Sequence, residues 1–217
     1  MSEDRIVELG SARRRSARRA PDLDAVVGVA CDLLLAHGEG GFRIDELLER
    51  TGISKSSLYL HFGDRDGIIA RACIEIFSRQ VKQNVESIIA LMERCSTPDE
   101  LAKYIELMID AVIRQPEDVR WNRVMVLAAA RHRPALWSEL GRVQSGLTSA
   151  IAAQIEELRE KGLVEPTTDA RELALFVQFA TFGRIFRDLD PAMGDADLER
   201  WRSMMVMMHR HFVLGQR

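Results

Sequence analysis

The residues best placed to do chemistry in this chain are the hydrogen-bond donors of the segment 54–61, SKSSLYLH. At helical spacing Leu58 and Phe62 fall four apart on one face, which buries them, and Lys55, Ser56, Tyr59 and Leu60 are left on the outer side with His61 at the rim. A short helix that turns an ammonium, hydroxyls and a phenol outward can present donors to base edges and phosphates in a major groove. Ser54 is placed to cap it, because its hydroxyl can accept one of the N–H groups that a first helical turn leaves unpaired. Upstream, Ile44, Leu47 and Leu48 mark an apolar-faced helix, and Gly52-Ile53 a tight turn. A third helix begins near Asp66. Residues 43–68 therefore read as a helix-turn-helix, and the chain as a candidate binder of double-stranded DNA.

No other cluster carries a comparable signal. There is no G-x-S-x-G, no H-E-x-x-H, no P-loop and no cysteine pair at metal spacing, so no catalytic residue, metal or cofactor is expected. The G-E-G-G at 38–41 lacks the Lys-Ser/Thr of a phosphate cradle and reads as a connection between helices. His209 and His211 are two apart on a helix and do not face one another. Cys31, Cys73 and Cys95 are odd in number and widely spaced, which suits a reducing cytoplasm. Cys31 and Cys73 lie on apolar helical faces and are expected in the core; Cys95, beside a predicted helix end, is the one thiol placed for a redox role.

The elements that must position the donor helix are themselves helical. With 217 residues, 47% of them hydrophobic and 29% charged, the chain can bury a substantial core as a soluble globular protein. The formal net charge is −3, yet five arginines fall within residues 13–19 (RRRSARR); a nucleic-acid footprint depends on where charge lies, not on its total. Nothing resembles a signal peptide, no apolar run reaches membrane length, and a cytoplasmic protein with no membrane partner is expected. Residues 1–20 form an Arg-rich arm that could reach phosphates or a minor groove, 21–66 the DNA-binding module, and 67–217 the remainder. A long helix runs from about 66 to 94 along a stripe of Ile68, Ile69, Ala72, Ile76 and Phe77. Thr97-Pro98-Asp99-Glu100 is a strong helix start. Breaks at Pro116, Pro134, Pro166 and Pro191 then delimit helices at about 98–114, 117–131, 134–161, 168–189 and 195–213.

The helix-turn-helix resembles the TetR family of bacterial repressors, whose module reads roughly T-V-R-x-I-A-x-x-A-G-V-S-x-G-x-L-Y-x-H-F-x-x-K-x-x-L. Gly52, Ile53, Ser54, Leu58, Tyr59, His61 and Phe62 match it, Ile68 stands at the final Leu, and VVGVACDLLLAHG (26–38) is similar to the family's first helix. The resemblance is specific over 22–70. Four positions depart: Arg43 stands for Thr, Asp45 for a base-reading Arg or similar polar residue, Ser56 for Gly and Arg65 for Lys. The resemblance implies an all-α fold of about nine helices, with a three-helix DNA-binding domain and a C-terminal effector-binding and dimerisation domain. It implies a homodimeric, ligand-responsive repressor on a palindromic operator. Carried onto this chain, it places Tyr59, His61 and Arg65 at phosphates and Lys55, Ser56, Ser57 and Leu60 at bases, with Arg43 and Ser54 also among the DNA-binding residues.

The resemblance also implies a pocket among the middle helices. Phe77, Tyr104, Met108, Trp121, Met125, Trp137, Phe176 and Phe179 are candidates to line it for a small, mostly apolar effector, with Arg123, His132 and Gln178 as polar anchors. A reader of palindromes needs a twofold partner. The last two helices offer apolar stripes for one, through Phe176, Ala180, Gly183, Trp201, Met204, Met205, Met208 and Phe212. The competing readings are a helical interaction module with a degenerate helix-turn-helix, suggested by Asp45 and the negative total charge, and an all-α enzyme using the same pocket.

Overall fold

The computed structural model describes residues 21–164 and 169–215, with the backbone alone at positions 84, 88, 91 and 213. The Arg-rich arm expected at 1–20 lies outside the described residues. Among those described there are nine α-helices and no strand.

Helix α1 (Leu23–Gly41) starts where the Asp22 carboxylate accepts from the Ala25 N–H at 3.0 Å, and it is interrupted at Gly38, whose φ of 64° leaves the right-handed helix. α2 (Ile44–Thr51) stops at Gly52, where φ is 66°; a side chain would be strained in that left-handed conformation. α3 (Lys55–Phe62) opens on the expected cap, with the Ser54 hydroxyl accepting from the Ser57 N–H at 3.2 Å. α4 (Arg65–Met92) follows after one short turn, its first N–H groups taken by Asp64, whose carboxylate accepts from Gly67 at 2.8 Å. Gly67 is required there by space: a Cβ would sit 1.8 Å from the Phe62 carbonyl oxygen.

α5 (Pro98–Arg114) carries the expected capping box between Thr97 and Glu100. α6 (Glu117–Ala130), α7 (Pro134–Glu160), α8 (Ala170–Gly183) and α9 (Asp195–Leu214) complete the set. The helix expected across 168–189 is divided. It is α-helical to Gly183 and then tightens into a 3-10 segment, Arg184–Leu189. Two inward side chains hold that segment. Arg184 donates to the carbonyls of Val112 and Ile113 at the end of α5, both at 2.5 Å, and Asp188 accepts from Arg120 of α6.

One hydrophobic cluster runs through the described residues. Its N-terminal end packs Leu33 and Leu34 of α1, Leu47 of α2, Leu58 of α3 and Ile68 and Ile69 of α4, all fully buried. α4 packs against α1 and α3 and also against α6 and α7, so it is shared between the module and the rest. At about 1.5 Å per residue its 28 residues span roughly 42 Å. α9 is tied along α5 by Arg202 to Asp110 at 2.5 Å and by Arg210 to Glu106 at 2.6 Å. No described helix is long and apolar enough to cross a membrane.

Candidate functional site: a nucleic-acid interface and an interior cavity

Burying Leu58 under α3 turns the rest of that helix outward. Lys55, Ser56 and His61 are exposed, and Leu60 is 80% exposed although it is aliphatic. Ser54 and Ser57 are half-buried, one hydroxyl being engaged in the cap. Tyr59 is half-buried against the core, and the Lys55 ammonium lies 5.9 Å from its ring centroid. The helix so presents one face of donors, a cation and an apolar tip on a rigid base, which is the form a duplex-reading helix needs.

Two expected contact residues are otherwise engaged. Arg43 is exposed, and its guanidinium donates to the carbonyls of Gly40 at 2.8 Å and Phe42 at 3.3 Å. Arg65 is half-buried; it donates to the Glu39 carbonyl at 2.5 Å and the Phe42 carbonyl at 3.3 Å, and its guanidinium carbon lies 5.8 Å from the Phe42 ring. Arg65 thus closes the end of α1 onto the start of α4. The planar fork that distinguishes Arg from Lys is what lets one side chain reach two carbonyls and a ring face.

A further arginine, absent from the sequence expectations, joins the module to the remainder. Arg133, between α6 and α7, donates to both carboxylate oxygens of Glu39 at 2.6 and 3.1 Å, to Asp66 at 3.0 Å, and to the Ala129 carbonyl at 2.6 Å. Its neighbours raise its pKa further, the Glu39 hydrogen bonds being the largest cause and the Asp66 bond adding to it.

Between α4, α5, α6, α7, α8 and α9 lies a cavity of about 380 Å³, within the roughly 300–1,000 Å³ usual for small-molecule sites. Its walls are mostly apolar, from Ile105, Met108, Ile151, Ile155, Trp201 and Met205. Polar groups enter from Gln80, Gln83 and Ser87 of α4, Arg120 and Arg123 of α6, Gln178 and Thr181 of α8, and His209 of α9. Gln178 is held in place, donating to the Ala174 carbonyl at 2.8 Å and accepting from Gln144. His209 is buried, with Nδ1 2.7 Å from the Met205 carbonyl and its ring 5.3 Å from Phe176; burial lowers its pKa, partly offset by that hydrogen bond.

The structure redistributes the expected lining. Met108 is on the wall, as are the anchors Arg123 and Gln178. Phe77 is in the core beneath Arg123, Tyr104 and Met125 pack on the core, and Trp121 is half-buried elsewhere. Trp137 is 54% and Phe179 71% exposed, which corrects their placement inside; His132 is exposed on the α6–α7 connection. The reason is rotational. Helical spacing identifies an apolar stripe, but α8 carries apolar residues around most of its circumference, and only packing decides which of them face inward.

The same applies to the stripes expected at a dimer interface. Trp201 and Ala180 face the cavity, Met205 is buried, Phe176, Gly183 and Met208 are half-buried, and only Met204 and Phe212 are exposed. The outward apolar surface is instead formed by Phe179, Phe182, Phe186, Met204, Met207 and Phe212 on α8, the 3-10 segment and α9. The cysteines are all buried. Burial pushes the Cys31 thiol up to about 11, the Cys73 thiol to about 12 and the Cys95 thiol upward too, opposite to what an activated thiolate requires.

The cavity arginines did leave a trace in the sequence. Val119, Arg123, Val126 and Ala130 recur at helical spacing on one face of α6, so Arg123 stands in the middle of a stripe otherwise apolar. Arg133 left none, since a loop arginine finds its carboxylates only in three dimensions.

Residues 26–72 match the sequence model of bacterial regulatory proteins, tetR family. No curated protein matches the chain. Among solved structures, a protein assigned to the TetR-family transcriptional regulators of Mesorhizobium loti is 19% identical with a TM-score of 0.68, covering 88% of this chain and 95% of its own. A TetR-family regulator from Cytophaga hutchinsonii is 15% identical with a TM-score of 0.65, covering 89% and 95%. A protein assigned as a transcriptional regulator of Saccharomonospora viridis, solved in complex with choline, is 17% identical with a TM-score of 0.62, covering 89% and 97%. These likenesses extend the shared fold over nearly the whole chain.

Proposed function

We propose that this chain, whose N-terminal module matches the sequence model of the tetR family of bacterial regulatory proteins, is a member of that family and a cytoplasmic homodimeric repressor whose hold on DNA is set by a small molecule in the interior cavity. The observation that carries this reading is the α3 surface. Lys55, Ser56, Leu60 and His61 stand out from a helix whose opposite face is anchored by Leu58. In the proposed complex Lys55, Ser56, Ser57 and Leu60 meet base edges, while Tyr59 and His61 meet phosphates. Arg65 acts one step back, orienting the start of α4. A C2 dimer through the outward apolar face of α8 and α9 sets the two α3 helices at roughly 34–36 Å, one turn of duplex.

The cavity supports the regulatory half of the proposal through what it touches. Gln80, Gln83 and Ser87 on its wall belong to α4, the helix that also packs on α3. Arg123 belongs to α6, whose far end leads into Arg133 and its grip on Glu39 and Asp66. An occupant that favours one spacing of α4 and α6 moves the module with them. It can shift that equilibrium only by its differential affinity for the two states.

The test is an electrophoretic shift of the full-length protein on the DNA upstream of its own coding sequence. A saturable complex of two chains per site, weakened steeply by salt through counterion release, is expected. No complex at low salt, or one that ignores competitor sequence, removes the reading.

A further inference from the structure

Resting on the effector reading above, the cavity contains one cation that nothing in its surroundings balances. Arg123 projects from α6 with its guanidinium carbon 5.7 Å from the Phe77 ring centroid. Among the described residues, no carboxylate comes within ion-pair distance of it, and no Asp or Glu lines the cavity. Burial alone lowers its pKa, with no neighbouring charge opposing the shift. The other arginines nearby have partners, although the Nε of Arg184 finds none. Arg120, one turn earlier, is bidentate to Asp188 at 2.5 and 2.7 Å, and Arg184 is directed to the carbonyls of Val112 and Ile113.

A partly desolvated cation without a partner costs free energy, and a ligand that supplies an anion recovers it. The guanidinium fork matches a carboxylate in two parallel hydrogen bonds, which an ammonium or a hydroxyl cannot offer it. Around that single polar point the walls are apolar, from Ile105, Met108, Ile151, Ile155 and Trp201. We propose that the cavity binds a small amphipathic organic acid, its carboxylate on Arg123 and its apolar body along α5, α7 and α9. Gln80 and Gln83 bring further amide groups from α4, so the acid head joins α6 to the helix that carries the DNA module. A quaternary ammonium such as choline, seen with one protein of this fold, is the opposite charge and is refused here.

The test titrates the full-length protein calorimetrically with decanoate, decanol and decyltrimethylammonium, chains of one length and three head charges. Decanoate is expected to bind at least about tenfold tighter than decanol, and the ammonium not at all. Arg123→Met should abolish the preference for decanoate over decanol and leave the ligand-free Tm unchanged or slightly raised, because it removes an unmatched half-buried charge. Arg123→Lys should keep the order of the three with a weaker decanoate. Equal binding of acid and alcohol by the native chain, binding of the ammonium, a preference that survives Arg123→Met, or no saturable binding of any of the three overturns the proposal. The same preparations are assayed for the DNA shift. A chain that shifts DNA but ignores head charge loses only this inference, and one that binds decanoate through Arg123 without shifting DNA loses only the regulator reading.

Discussion

Arg123 and Arg133 are borne by one helix and the turn that ends it, yet they occupy opposite electrostatic settings. Arg133 reaches carboxylates from two other helices, and its proton is held more tightly than in water. Arg123 reaches a phenyl face and a cavity, and burial loosens its proton. The difference teaches that a buried charge acquires its role from where its countercharge comes from. When the fold supplies it, the residue is a tie between parts. When the fold does not, the residue waits on something that enters.

The junction around Arg133 is the tighter of the two regions, and its largest expected response is at Gly67. Gly67→Ala forces a Cβ against the Phe62 carbonyl, and we expect a loss of about 3 kcal/mol or more, since backbone must move. Urea denaturation followed by tryptophan fluorescence would measure it; an unchanged midpoint would mean that the turn between α3 and α4 is looser than described.

Next in size is the arginine pair itself. Arg133→Met leaves Glu39 and Asp66 unmatched and should destabilise the chain by about 1–3 kcal/mol, discounted for the partial exposure of both carboxylates. Arg123→Met should leave stability unchanged or slightly raised. Destabilisation by both changes in parallel melts would break the comparison.

Smaller still is the response of the α3 surface. Lys55→Ala and Leu60→Ala should leave stability within about ±0.5 kcal/mol, because both side chains are exposed. Each should nevertheless weaken the operator complex by about 1 kcal/mol and relax base preference, with the salt dependence nearly unchanged because both are placed at base edges. Fluorescence anisotropy on labelled DNA at several salt concentrations measures affinity and salt dependence together. Full affinity in both variants would take α3 out of the interface.

The smallest effect concerns His209, whose pKa is lowered by burial from the ordinary 6.5. Above pH 6.5 it is neutral in folded and unfolded chains alike and contributes nothing to the pH dependence. Below 6.5 the unfolded chain takes up a proton that the folded one resists, so stability falls as pH falls, by at most about 1.4 kcal/mol per pH unit. His209→Gln should flatten that decline between pH 6.5 and 5 in thermal melts; an identical decline would place its origin elsewhere.

Much of the DNA module was legible because its signals are local. Ser54 capping α3, Gly52 ending α2 and the burial of Leu58, like the Thr97–Glu100 box that starts α5 outside the module, each follow from residues within a turn of one another. Arg65 was legible as a cation but not as a tie, since its acceptors are carbonyls 23 and 26 residues earlier. The cavity was the least legible part. Met108 could be picked out and Gln80 could not, because a glutamine on a long helix looks like surface until the other helices enclose the cavity it lines.

What sequence alone determined here are the order of the helices, the caps of α3 and α5 and the outward chemistry of α3, all consequences of periodicity and of which backbone groups a nearby side chain can satisfy. Tertiary packing alone decided the rotation of α8 and α9, which put Phe179 and Met207 outside and Trp201 within, and the partners of each arginine. Side-chain rotation about a helix axis and charge pairing across helices depend on distances between segments far apart in the chain, and no local rule contains those distances.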